Sequence, residues 1–196
     1  MRDAADRPIV LGLRRGEAAA FDAAYAKYRA RIYAFLLRLA GRRDVAEDLL
    51  QETWLKLARS AARLDEETDL AAWLFTVARN EAVSHRRWSL LDLSRIVVWG
   101  DEAAAIAATA APDERTDASR RVERLEAALS RLTTAHREVL LLIAVEGFAH
   151  DEAAAILGLR RDALRQRLAR ARKELASALD ERHGHAWTRL GRGDAR

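Results

Sequence analysis

Apolar residues recur along this chain at spacings of three and four, the signature of amphipathic helices. The first strong pattern runs from about Glu17 to Ala40. It places Phe21, Tyr25, Tyr28, Ile32, Phe35, Leu36 and Leu39 on one face, and Gly41 stops it. A second helix opens at Asp44, where Asp44 and Glu47 have the spacing of an acidic capping box. Its stripe is Ala46, Leu50, Trp54, Leu57 and Ala61, whereas Asp48, Gln51, Glu52 and Leu55 fall on a different face. A third helix, about Asp69 to Trp88, is expected to bury Leu70, Trp73, Leu74, Val77 and Ala78. No run alternates apolar and polar residues for long enough to read as a strand.

The helical period is lost between Ser89 and Ser119, a segment that mixes Ile96-Val97-Val98-Trp99 with an Ala-rich stretch and the Pro112-Asp113-Glu114 break. It reads as a flexible linker, although Ile96 to Trp99 is too apolar to be left wholly in water. Periodicity returns with Val122, Leu125, Leu129 and Leu132, then with Val139, Leu140, Leu142 and Ile143 on a helix from about Thr134 to Val145 that Gly147 ends. A short helix, His150 to Leu157, a turn at Gly158-Leu159 and a long helix from Arg161 to about Glu181 follow. The expected architecture is all-α: a first domain over 11–88, a linker over 89–119, a second domain over 120–182, and a Gly-rich, basic, frayed tail over 183–196.

The chain has 196 residues, which suits two small domains with modest cores. It has no cysteine, so disulfides, thiolate nucleophiles and Cys-based zinc sites are excluded together. That composition fits a reducing cytoplasm. Residues Met1 to Val10 carry four charges and do not make a signal peptide, and no apolar run is long enough to insert in a membrane. His183-Gly184-His185 falls in the tail, and His85, His136 and His150 have no neighbours at metal-ligand spacing. No phosphate-binding Gly loop and no paired acid–base geometry stands out, so neither a cofactor nor an enzymatic role is expected.

Net charge is only +4, but between Arg160 and Lys173 there are six arginines and a lysine against one aspartate. A basic stripe of this kind is the electrostatic footprint of a nucleic-acid binder. It lies on the second helix of what reads as a helix-turn-helix. Ala154 permits close helix approach, Gly158 permits the tight turn, and Leu164 and Leu168 lock the second helix to the first. A plain helical hairpin with a solvated basic face has the same spacings. What separates the two is the sorting of the arginines from Leu164, Leu168, Ala171 and Leu175. Arg160, Arg161, Arg165, Gln166, Arg167 and Arg170 are left to meet DNA. In a major groove Arg grips guanine edges, Gln reads adenine, and the remaining Arg side chains hold phosphates.

The run Leu132-Thr133-Thr134-Ala135-His136-Arg137-Glu138-Val139-Leu140-Leu141-Leu142, with Glu146-Gly147-Phe148, Glu152-Ala153-Ala154, Leu157-Gly158-Leu159 and Arg167-Leu168-Ala169-Arg170-Ala171-Arg172, resembles region four of bacterial sigma factors. Asp44-Val45-Ala46-Glu47-Asp48-Leu49-Leu50-Gln51-Glu52-Thr53-Trp54-Leu55-Lys56-Leu57 and Trp73-Leu74-Phe75-Thr76-Val77-Ala78-Arg79-Asn80, followed by Arg86-Arg87, resemble region two. The order of the regions and the short linker are similar to the extracytoplasmic-function (group IV) sigma factors. The resemblance implies a region-two three-helix bundle and a region-four helix-turn-helix domain that together direct core RNA polymerase to promoters. Asp44, Asp48, Gln51, Glu52 and Leu55 would then meet the clamp helices of the polymerase beta-prime subunit. Arg63, Arg79, Asn80, Arg86 and Arg87 would face the minus-ten element, with the loop from Arg63 to Asp69 holding a flipped base. The basic helix would meet the minus-thirty-five element, and the second domain would dock on the beta flap. An anti-sigma factor is a further implied partner.

The chain departs from the family pattern at several places. Ala149 and Arg160 stand where Ser or Thr usually caps the two helices, a loss of about 1 kcal/mol each. Asp151 or Asp162 is expected to compensate by charge at the first turn. Asp162-Ala163 replaces Gly-Thr, and Thr133, itself a capable cap, replaces Pro. Two other readings fit parts of the sequence: a sigma mimic that sequesters an anti-sigma factor without binding DNA, and a conventional helix-turn-helix regulator. The dense Arg run opposes the first, and the Asp44 to Leu57 run opposes the second. Trp54 and Trp73 are assigned to the core. Trp88 is expected to be buried, the commoner fate of a tryptophan, rather than to stack on a base. Ile96 to Trp99 is expected to pack on a domain or an inhibitory partner, giving a compact state that hides a DNA-binding face.

Overall fold

The computed structural model describes residues 6–91 and 117–190, with side chains described through 88 and 180 in the two segments. Helices α1 (Asp6–Arg14), α2 (Ala18–Ala40), α3 (Arg43–Ser60) and α4 (Leu70–Leu91) form the first domain, with a 3₁₀ turn at Ala61–Arg63. Helices α5 (Asp117–Arg131), α6 (Thr134–Leu140, prolonged by a π turn at Leu141–Val145), α7 (His150–Leu157) and α8 (Arg161–Leu190) form the second. The described residues contain no strand. The expected linker and the apolar run Ile96 to Trp99 lie outside the described residues.

Helix α1 was not anticipated. Its register is set by charge: Asp6 is buried, accepts a hydrogen bond from the Tyr28 hydroxyl, and lies 2.7 Å from Lys27 Nζ. Burial, and then the bond to Asp6, push the Tyr28 phenol above its ordinary value. Gly12 lets α1 approach α2, because a Cβ placed there would stand 2.6 Å from that of Ala20. Val10 and Leu13 complete the contact.

In α2, Tyr28, Ile32, Phe35, Leu36 and Leu39 are buried as the periodicity predicts. Tyr25 is 38% exposed and leans its ring on Trp54, with centroids 4.9 Å apart. The expected capping box of α3 does not form. The helix starts one residue earlier, Arg42 takes the cap position without a side-chain bond, and Asp44 instead pairs with Arg42 and accepts from the Val45 amide. Asp69, one residue before α4, caps it by accepting from the Ala72 amide at 2.9 Å. Leu70, Leu74 and Ala78 are buried, Trp73 and Val77 only partly so, and Phe75, absent from the predicted stripe, is wholly buried.

In the second domain Leu129 and Leu132 are buried but Val122 is 53% and Leu125 41% exposed. Only the last turns of α5 reach the core, so the earlier part of its stripe has no described cover. Thr133 caps α6 through the His136 amide, as its chemistry allows. Arg137 turns inward and donates to the carbonyls of Leu129, Ser130 and Leu132, which satisfies the open C-terminal end of α5. Helix α8 continues to Leu190, past the residue where a frayed tail was expected.

The two cores are not separate. Phe35, Phe75 and Phe148 form a chain of edge-to-face contacts with successive centroids 5.2 Å apart, and it crosses from the first domain into the second. Around this contact Arg38 meets Glu126 at 2.6 Å, Arg31 meets Glu146 at 3.0 Å, and Arg137 donates to the Arg38 carbonyl at 2.8 Å. Replacing Asp6 by Ala should lower unfolding stability by about 1–3 kcal/mol, because it strands the buried Tyr28 hydroxyl and removes the Lys27 contact. Urea unfolding followed by circular dichroism measures this; a loss below about 0.5 kcal/mol means that α1 is not anchored there.

Candidate nucleic-acid and polymerase interfaces

Helices α7 and α8 are joined by a turn whose Gly158 has φ +64°, in the left-handed region that favours glycine. Its geometry is closed by bonds from the Leu159 amide to the Ala154 carbonyl at 2.9 Å and from Gly158 to Ala155 at 3.1 Å. Leu164, Leu168 and Ala171 pack α8 against the domain, with Ala153 and Ala154 on the facing helix. This is the predicted helix-turn-helix layout.

Acidic residues stand in the first turns of both helices, and one of them makes a cap bond. Glu152 accepts from the Ala149 amide at 2.8 Å, the half of a capping box that does not need a polar side chain at position 149. Asp151 and Asp162 stand in the first turns of α7 and α8, as expected, and Asp151 has a second role. It forms a two-pronged pair with Arg161 across the turn, which ties the start of α8 to the start of α7. The Arg161 hydrogen bond and charge hold the exposed Asp151 carboxyl below its usual value. The carboxylate is therefore ionised at neutral pH, and what the pair contributes is lost as pH falls through that depressed value.

Arg160, Arg165, Gln166 and Arg170 are exposed on the outer face of α8; Arg165 also stands 3.8 Å from Asp162. Arg161 is exposed but engaged by Asp151. Arg167 is half-buried and turns toward the first domain. There it lines a cleft of about 390 Å³ with Arg79, Arg86, Arg87, Leu49 and Glu138. Three of the five residues expected at the minus-ten element thus come together, while Asn80, whose carboxamide oxygen lies 3.3 Å from Arg79, and Arg63 lie outside the cleft lining. Arg63 is exposed at the end of the 3₁₀ turn and reaches back to the Arg59 carbonyl.

Glu138 is the residue that sequence reasoning missed. It is 2% exposed, and Arg79 Nε stands 3.4 Å from its carboxylate. Burial pushes its carboxyl up, and Arg79 foremost, with Arg167 and Arg86, pulls it back. Arg86 also donates to the Thr134 hydroxyl. Glu138 sits beside the apolar Val139 and Leu140, and no local pattern distinguishes it from a solvated glutamate.

The α3 face carries Asp44, Asp48, Gln51, Glu52 and Leu55, all exposed; Leu55 is 37% exposed, high for a leucine. Gln51 and Leu55 border an open groove of about 500 Å³ between α2 and α3, floored by Phe21 and Trp54. Trp88 is 72% exposed, against the expectation of burial, because it lies near the end of α4 beyond the packed turns.

A helical bundle with an acidic, partly apolar face, joined to a helix-turn-helix with a basic outer face, defines a DNA-binding transcription factor that also docks on a protein. Residues 24–88 match the Sigma-70 region 2 family and residues 122–175 the Sigma-70 region 4 family. The chain is 36% identical over 171 residues to the RNA polymerase sigma factor CarQ of Myxococcus xanthus, covering 86% of this chain and 94% of that protein. It is 32% identical over 173 residues to the extracytoplasmic-function sigma factor SigL of Mycobacterium tuberculosis, covering 88% and 96%. Among solved structures it is similar to CnrH in complex with the cytosolic domain of CnrY, with a TM-score of 0.68 at 25% identity over 91% of this chain and 99% of that one. It is also similar to RpoE in complex with the anti-sigma factor NepR from Bartonella quintana, with a TM-score of 0.67 at 27% identity over 82% and 96%. The chain belongs to the extracytoplasmic-function RNA polymerase sigma factors, and its function is transcription initiation.

Asp151→Asn should free Arg161 for phosphate. The slope of log affinity for DNA against log salt should steepen by about 0.9, the increment for one added phosphate contact. A slope unchanged within error, measured by fluorescence anisotropy on the full chain, would place Arg161 away from DNA.

Proposed function

We propose that residues 6–91 recognise the minus-ten element and core polymerase, and that residues 117–182 recognise the minus-thirty-five element. The observation that carries this is the sorting of side chains on α8: Leu164, Leu168 and Ala171 are buried while Arg160, Arg165, Gln166 and Arg170 are exposed together. Such a face suits the major groove. Asp48, Gln51 and Glu52 with exposed Leu55 suit the beta-prime clamp helices, a basic and partly apolar partner. Arg79, Asn80, Arg86 and Arg87 with Arg63 read the minus-ten element, and the second domain meets the beta flap. The protein works by binding, without a catalytic step or cofactor of its own, and it acts in the cytoplasm, where polymerase and chromosome are. The relatives solved with CnrY and with NepR support an anti-sigma factor as a further partner. Exposed arginines on α8 favour this reading over a mimic without DNA binding.

In-vitro transcription of a genomic library with purified core polymerase and this protein, with sequencing of the start sites, tests the reading. A shared upstream motif should emerge, and Arg165→Ala should relax one position of it by about 1–3 kcal/mol of discrimination. Equal output and identical motifs from wild type and Arg165→Ala would remove Arg165 from base reading. Reversing Asp48 and Glu52 together to Lys should weaken core polymerase binding by several kcal/mol while circular dichroism stays unchanged. Undiminished affinity in the folded double variant would assign the clamp contact elsewhere.

A further inference from the structure

We propose that α1 straps the loop that follows the 3₁₀ turn. Arg7 and Arg14 are positioning residues for minus-ten recognition, because they hold Glu66 and Glu67 and so set the shape and charge of the loop from Arg63 to Asp69. The proposal rests on the reading of that loop, within the minus-ten assignment, as the receiver of a flipped base, and deepens it.

The loop carries four carboxylates in five residues: Asp65, Glu66, Glu67 and Asp69. Two of them are used by the backbone nearby. The Asp65 side chain accepts from the Glu67 amide at 2.8 Å, its carbonyl accepts from the Thr68 amide at 3.0 Å, and Asp69 caps α4. The other two are met from α1. Arg14 pairs with Glu66, and Arg7 Nη2 stands 3.5 Å from the Glu67 carboxylate. Helix α1 also packs on the 3₁₀ turn itself. Positions 7 and 14 are two helical turns apart and share a face, beside the one that buries Asp6, Val10 and Leu13. They lie about 10 Å apart along the helix, whereas their partners are neighbours in sequence. The two long side chains therefore converge on the tip of the loop.

Without these pairs the tip would hold two exposed negative charges where a DNA strand comes close. Like charge repels the phosphate backbone, and the guanidiniums offset it before DNA arrives. Exposed ion pairs add little to the stability of a whole domain. A loop opens at a far smaller free energy than the domain unfolds, so the same pairs weigh more on the shapes that the loop populates. Ala61 and Leu64 are buried and pin the foot of the loop, which leaves residues 65–68 as the part that α1 controls. The polar anchor of α1 serves the same end: Asp6 against Tyr28 and Lys27 sets the register in which Arg7 and Arg14 reach the loop.

Arg14→Glu sets like charge against Glu66, and Arg14→Glu with Glu66→Arg restores the pair at the wild-type net charge. Holoenzyme is assembled from purified core polymerase and the full chain. The template pool is one promoter from the genomic selection, with its minus-ten element randomised and its upstream element fixed. Expected in Arg14→Glu is a loss of nucleotide preference at one minus-ten position, on the order of fivefold, the shift that an exposed ion pair supplies. The charge swap should restore that preference. Deuterium exchange of the backbone amides of residues 61–69, read by mass spectrometry on the free chain, should speed up in Arg14→Glu and slow again in the swap. Arg7→Gln with Arg14→Gln loses both pairs without adding like charge. It should act in the same direction, and it serves if Arg14→Glu does not fold.

A merely structural role for Arg14 would lower output from every minus-ten sequence alike and leave the preference intact. That result, unchanged amide exchange in the loop, or a swap that restores neither property overturns the strap. Replacing residues 65–68 together by glycine and serine separates the strap from the reading beneath it. If that loop variant keeps the full minus-ten preference, the loop receives no base, and the strap falls with that reading. If it loses preference at one position while Arg14→Glu and the double glutamine variant do not, the loop reads a base and α1 does not hold it.

Discussion

A carboxylate that is 2% exposed beside Val139 and Leu140 is tolerable only if a cation meets it, and the ion-pair partner of Glu138 is Arg79 of the other domain, 3.4 Å away. The placement of the second domain follows from that constraint. Glu138 ties α6 to α4 through the Arg79 side chain, beside the place where α7 packs on α4. Arg38 and Glu126 then fix the rotation of α5 over α2, and Arg137 bonds the same Arg38 through its carbonyl. Buried ion pairs are poor sources of net stability, because desolvation offsets most of the Coulomb gain. Their effect here is on orientation. The favourable area comes from the aromatic chain Phe35–Phe75–Phe148, which is unselective about rotation, whereas the three carboxylate–guanidinium pairs are satisfied together in one docking.

The parts of the fold that depend on local pattern were legible in the sequence. Helix α2, the stripe of α3, the turn at Gly158 and the buried Leu164 and Leu168 all follow from spacing, propensity and one left-handed residue. The failures share a different cause. Glu138, Glu126 and Phe148 are buried by a partner more than 50 residues away in sequence, and no window of ten residues holds that information. Phe75 was left out of the α4 stripe because it faces a second partner, off the axis of the first. Val122 and Leu125 failed the other way: their period is right, but no described element covers them. Helix α1 has a polar anchor, a buried Asp6 against Tyr28 and Lys27, which apolar periodicity does not register.

The candidate interfaces were legible to unequal degrees for the same reason. The exposed arginines of α8 and the acids of α3 face solvent, so helical phase alone places them at the surface. Arg79, Arg86 and Arg167 point into a cleft between domains, and phase shows only that they leave their own core, not what they meet. Asp151 is intermediate. Its charge at a helix start was readable, but its use as a strap to Arg161 depends on the angle between α7 and α8, which the turn at Gly158 sets.

The packed arrangement of the domains separates the contacts between them from the exposed α3 face. Asp48, Gln51, Glu52 and Leu55 are exposed while the domains are packed together, so the α3 face is open to a partner without any change in that packing. A ligand that binds two states equally shifts neither, however tight the binding. A partner that touched α3 alone would therefore leave the three carboxylate–guanidinium pairs undisturbed, whereas one that competed for Arg31, Arg38 or Arg79 would have to displace a buried carboxylate.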